Sequence, residues 1–173
     1  MIECIRKIDR AIGPLRTLAD KVGAPLLCLG IRLFMAQIFF ASGWLKFKNF
    51  LNHDWGSTVY LFKEVHPIPG VSPHIAAVMG TTGELGLSTL LAFGLFGRFA
   101  AAGLIVMTCV IQFLVPASYG IANPEHYYWM LLLAVIFVCG PGPIALDGLL
   151  CRWLRREKPA ADPPHPQAQT PQG

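Results

Sequence analysis

Glu84 is the only acid in the apolar run MGTTGELGLSTLLAFGLFGR, residues 79–98. A carboxylate placed there can accept a proton, grip a ligand or pair with a buried cation. An ionised side chain at the centre of a membrane helix costs about 2.5–3.5 kcal/mol even on the lenient insertion scale, so such groups face a partner or a wet cavity. Glu84 is therefore expected to point inward. The flanking Gly80, Thr81, Thr82, Gly83 and Gly86 are small enough to let a neighbouring helix approach closely. Arg32 lies in another apolar run, on the cytoplasmic side of its midpoint, and its long stem makes an Arg32–Glu84 pair the expectation, joined by Gln37 or Gln112. Such a pair either pins two helices together or supplies the polar contact of a ligand site. In the second case Arg32 and Glu84 hold the ligand, Lys46 and Trp44 form its outer rim, and Gln112 adds a hydrogen bond. Lys46 alone reads as a snorkelling end-of-span lysine.

A second set of chemically capable side chains lies outside the apolar runs. His53, His66, His74 and His126 are expected on one side of the membrane, with Asp54, Glu64 and Glu125. Imidazole and carboxylate suit copper, zinc or iron, and His53, His66 and His126 are the candidate metal ligands. No two of them have the H-x-x-x-H spacing, and surface histidines near lipid headgroups are the competing reading. Cys4, Cys28, Cys109, Cys139 and Cys151 are odd in number and lack C-x-x-C spacing, so free thiols are expected.

These residues need membrane helices to position them. Of 173 residues 54% are hydrophobic and 14% charged, against about 25% charged in ordinary soluble chains, and the mean hydropathy is +0.51. The apolar residues are gathered in blocks near the roughly 20 residues that a helix needs to cross the bilayer. Four spans are expected, at about Pro25–Leu45, Pro73–Phe96, Phe99–Val115 and Tyr127–Leu146. The fold class is thus all-α: a polytopic four-transmembrane-helix bundle with amphipathic helices at both cytoplasmic ends. Its expected parts are a cytoplasmic amphipathic segment (1–24, kinked at Pro14), the membrane domain (25–146, with an aromatic outer loop over 46–72 as a lid), an interfacial helix (147–156, capped by Asp147) and a proline-rich disordered tail (157–173).

Lysine and arginine flank the first span's start and the fourth span's end, and Arg98 sits between the second and third, which places both termini in the cytoplasm. The net charge of +4 is then a topology signal and gives no reason to invoke nucleic acid. The small residues Ala41, Ser42 and Gly43 suggest a signal-peptidase site, but the apolar stretch before them is too long, starts late and contains Arg32, so the first span is expected to remain.

The order RLFMAQIFFASGWLKF (32–47), TGELGLSTLLAFGLFGRFAA (82–101) and GPGPIALDGLL (140–150), with DWGSTVYLF (54–62) in the loop, resembles the DoxX family of small four-helix bacterial membrane proteins. One departure is Pro143 and Ala145, where the family often has a basic residue and a serine. The resemblance implies a bacterial inner-membrane accessory subunit of a redox system, linked to quinone and to protein partners, and not a self-contained enzyme. The chain shows no haem-ligand pair, nucleotide loop or cysteine couple of its own. The leading expectation is a lipid-embedded protein that binds an apolar ligand such as a quinone, or a redox partner, in its bundle. The alternatives are an extracytoplasmic metal-handling or transport component, and a membrane scaffold.

Overall fold

The computed structural model describes residues 12–116, 120 and 123–156; the amphipathic pattern over 1–11 and the tail 157–173 lie outside them. Every regular element among the described residues is helical. Three helices are long and apolar enough to cross a membrane: Ile12–Leu51, Pro73–Phe93 and Gly97–Leu114. A shorter apolar helix spans Pro124–Cys139.

The first of these has 40 residues, roughly 60 Å at 1.5 Å per residue, or twice the hydrocarbon thickness. Its regular α-helical part, α1, is Ala24–Leu51. The helix runs unbroken through the expected boundary near residue 24, but with one wide π turn at Ala19–Gly23, where the Ala24 N–H bonds to the Ala19 carbonyl. The reason is Pro25, which lacks an N–H and whose ring crowds the carbonyl four residues back; the extra residue in the turn relieves both problems. The irregularity thus sits beside Pro25, whereas the expected kink was at Pro14.

A turn at Asn52–Asp54, with His53 in the left-handed region (φ 58°), leads into α2, Trp55–Glu64. Helix α3, Pro73–Phe93, starts where the Ser72 hydroxyl accepts the Ile75 N–H and Pro73 occupies the first turn. It stops at Gly94, whose φ of +67° suits a residue without a side chain. Helix α4, Gly97–Cys109, continues into a π turn at Val110–Leu114. Asn123 caps α5, Pro124–Cys139, which ends at Gly140 (φ +86°). Helix α6, Leu146–Arg156, follows the GPGP turn and exposes Leu149, Leu150 and Trp153.

Helices α1 and α3 pack against each other, α4 packs on both α3 and α5, α5 touches α1, and α2 lies across α3 and α1. The buried residues repeat at three and four: Arg32, Met35, Ala36, Phe39, Gly43 and Lys46 on α1; Ala76, Ala77, Gly80, Thr81, Glu84, Ser88 and Leu91 on α3. That period makes one inward stripe per helix. Gly43 fixes their register, because a Cβ on it would lie 2.9 Å from Glu84 Cβ and 3.0 Å from the Leu85 backbone nitrogen.

Two halves of the bundle differ. Toward the α3–α4 turn, Met35, Phe39, Leu91, Leu104, Leu133 and Ile136 form a closed core. Large apolar side chains such as Phe34, Phe93, Phe99, Leu131 and Phe137 point outward, where lipid is the natural solvent. In lipid there is little hydrophobic gain from bringing helices together, so the close fit of small residues holds them. The other half, under α2, is hollow.

Candidate functional site

The hollow half contains a cavity of about 990 Å³, bounded by α1, α2, α3, the end of α4 with its π turn, and the start of α5. Leu61, Phe62, Ile68, Met107 and Ile111 supply apolar wall. Pockets that hold small molecules fall in the range of about 300–1,000 Å³, with apolar walls and a few polar groups that fix orientation. Here the ionisable groups are Lys46 and Glu84, with His66 and His126 on other walls, and the polar lining includes Ser42, Asn49 and Thr58.

Glu84 points inward, and its partner is Lys46. The Lys46 ammonium donates to Glu84 Oε2 at 2.7 Å and to Ser42 Oγ at 2.7 Å. Both residues are buried, Lys46 8% and Glu84 6% exposed. Lys46 therefore does not snorkel outward as expected: it lies on the same helical stripe as Phe39 and Gly43, so its stem is aimed into the bundle. Glu84 Oε1 accepts no hydrogen bond among the described residues, yet it is not fully enclosed. The ion pair thus presents a free acceptor, and a lysine with a third N–H, at the cavity wall.

Arg32 is not part of this site. It is 3% exposed, and its Nη1 donates to the Pro141 carbonyl at 2.8 Å, beside Gly94. The expected Arg32–Glu84 pair fails on register: Gly43 meets Glu84, and the eleven residues from Arg32 to Gly43 are roughly 16 Å of helix rise. That exceeds what a guanidinium stem can span. Asp147 also differs from expectation. Its carboxylate accepts the N–H groups of Phe96 and Gly97, both at 3.1 Å, and so caps α4, not its own helix. The Asp147 N–H returns to the Gly94 carbonyl at 3.1 Å, and Arg98 Nη2 donates to the Val138 carbonyl at 3.3 Å. Arg32, Asp147 and Arg98 together clasp the α3–α4 turn to the GPGP turn, away from the cavity.

The remaining candidates divide. Trp44 is 41% exposed, stacked on Phe40 on the outer face of α1, and does not line the cavity. Gln112 Oε1 lies 2.7 Å from His126 Nδ1 and accepts the Asn123 N–H at 3.2 Å, so it fixes a cavity residue from behind. Of the candidate metal ligands, His66 and His126 line the cavity, while His53 occupies the exposed turn after α1. Among the described residues no three His, Cys, Asp or Glu side chains come together to hold a metal ion. Burial, and then the nearby Lys46 ammonium, hold the His66 imidazole below its ordinary pKa. Cys28, Cys109 and Cys139 are free thiols.

Sequence reasoning missed Thr58, which is buried and accepts from Asn49 Nδ2 at 3.1 Å on the cavity wall. Gly80, expected to admit a close neighbour, makes room for the Phe62 ring of α2. The readable signal was the small-residue spacing on α3, which marks where another element comes close.

Neither a search of curated proteins nor one of solved structures returns a match. A family model described as DoxX matches residues 27–117, which cover α1 to the π turn and hence Lys46, Glu84 and most of the cavity wall. The match covers more than half of the chain, and with the helical membrane fold it makes this protein a member of the DoxX family.

Proposed function

We propose that this protein is a bacterial inner-membrane accessory subunit that holds a lipophilic molecule with a hydrogen-bonding head, of the quinone type, for a membrane redox system. The observation that carries the reading is the buried Lys46–Glu84 pair at the wall of a mainly apolar cavity. A buried ion pair contributes little net stability compared with apolar residues of the same volume, so its presence beside a cavity suits a recognition role. A carbonyl oxygen of the head would accept from Lys46, a hydroxyl would donate to Glu84 Oε1, and Leu61, Met107 and Ile111 would face the apolar body. The redox setting comes from the family. Arg32 and Trp44 have no contact with the ligand in this reading.

Four crossings and cytoplasmic termini belong to the same proposal. Helix α5 runs from the cavity, at His126, to the GPGP turn that clasps the α3–α4 turn. It therefore covers the length of the bundle although it has 16 residues. With arginines and lysines at the clasp end, the cavity faces the extracytoplasmic half.

The test is extraction of lipophilic molecules from protein purified gently out of native membranes, identified by mass spectrometry. Quinone should be enriched over bulk lipid in the wild type and lost in Glu84→Gln and in Lys46→Met, with Arg32→Lys unchanged. Equal quinone in all four preparations would contradict the site.

A further inference from the structure

We infer that His126 is a fixed hydrogen-bond acceptor in the cavity and selects a ligand head that carries a hydroxyl group. The inference rests on the reading of the cavity as a ligand site and specifies the chemistry that it recognises.

The backbone N–H of Asn123 can only donate, and it reaches Gln112 Oε1 at 3.2 Å. That contact fixes the Gln112 amide with its oxygen, not its NH₂, toward the α5 N-terminus. The same oxygen is 2.7 Å from His126 Nδ1. An amide oxygen cannot donate, so Nδ1 must carry the proton. A neutral imidazole has one N–H, and the other ring nitrogen, Nε2, is then a bare acceptor.

Nε2 has no hydrogen-bond partner among the described residues and is not fully enclosed. His126 itself is 8% exposed and lines the cavity, its ring 5.0 Å from that of Trp129. The local fold holds this arrangement in place. Asn123 caps α5, and the π turn at Val110–Leu114 carries Gln112. Such wide turns recur at functional sites because they re-aim a side chain without ending the helix.

Among the described residues, His126 Nε2 and Glu84 Oε1 are thus acceptors without partners on side chains that line the cavity. A hydroxyl on the ligand satisfies one of them, and its methyl ether cannot. Leaving a buried acceptor unpaired is penalised more than a hydrogen bond is rewarded, so the discrimination should be roughly tenfold.

The experiment uses the full chain in nanodiscs near pH 8, with para-dodecylphenol and its O-methyl ether as probes. Histidine nitrogens are followed by isotope-edited NMR, and the His126 signal is assigned by its loss in His126→Gln. The expected result is a His126 ring protonated on Nδ1, and a phenol that binds about tenfold more tightly than the ether. Gln112→Leu, which leaves the cavity wall in place, should return His126 to the commoner Nε2–H form and reduce the preference. An Nε2–H signal in the wild type overturns the inference. Equal binding of phenol and ether overturns it as well, while leaving the cavity reading intact. If neither probe binds, the cavity reading fails and takes the inference with it.

Discussion

Replacing Lys46 with methionine keeps the length of the stem and removes the ammonium from Glu84. The two charges are 2.7 Å apart, and at an effective dielectric constant of about 20 their attraction is roughly 6 kcal/mol. Desolvation of both ions offsets the greater part, which leaves a coupling of about 2–3 kcal/mol between them. The single substitution should cost more than that coupling, roughly 3 kcal/mol or a factor above a hundred in the unfolding equilibrium, because Glu84 is left charged and unpaired. Glu84→Gln on the Lys46→Met background should recover much of the loss, since the buried charge is then gone. The assay is reversible unfolding in mixed micelles for the two single variants, the double variant and the wild type. A parallel cycle of Arg32→Met with Glu84→Gln should be additive within about 0.5 kcal/mol, as for residues that share no contact. Additivity in the Lys46 cycle, or coupling in the Arg32 cycle, would refute the assignment of Lys46 as the partner.

Other parts of the structure make further predictions. Gly43→Ala places a methyl group 3.0 Å from the Leu85 backbone nitrogen, so it should destabilise the bundle by about 1–3 kcal/mol in the same unfolding assay. Asp147→Ala removes the acceptor of two N–H groups at the start of α4 and should cost about 1–2 kcal/mol, with Asp147→Asn milder. The folded state holds the His66 imidazole below its ordinary pKa, so the unfolded chain binds a proton first as pH falls. Stability from neutral His66 is complete above about pH 6.5 and is lost as pH drops through the lowered folded value. His66→Gln should flatten that acid slope when unfolding is measured at neutral and mildly acidic pH.

The inward direction of Glu84 was legible because an acid in an apolar run has few other stable solutions. Its partner was not, for a reason of register. The apolar block 25–45 looks like a span centred near Met35, whereas the helix is 40 residues long and Arg32 lies level with Gly94, at the end of α3. Hydropathy cannot place a long helix along its own axis; Gly43 against Glu84 does. The helical period offered a better guide, since Arg32, Phe39, Gly43 and Lys46 fall on one stripe. Asp147 was misassigned because a cap next in sequence looks nearer than one supplied across fifty residues. Trp44 lies two residues before Lys46, and helical residues two apart face different directions. The Gln112–His126 contact joins residues fourteen apart, and the sequence between them carries no spacing signal.

The most direct test of the ligand cavity is photo-crosslinking in native membranes with a benzoquinol, kept reduced, whose tail bears a diazirine, followed by peptide mapping. Adducts are expected on cavity residues such as Leu61, Met107 and Ile111, and they should disappear in Lys46→Met and Glu84→Gln. Adducts spread over the outward-facing Phe99 and Phe137, unchanged by either substitution, would contradict a quinone-type ligand held by the Lys46–Glu84 pair.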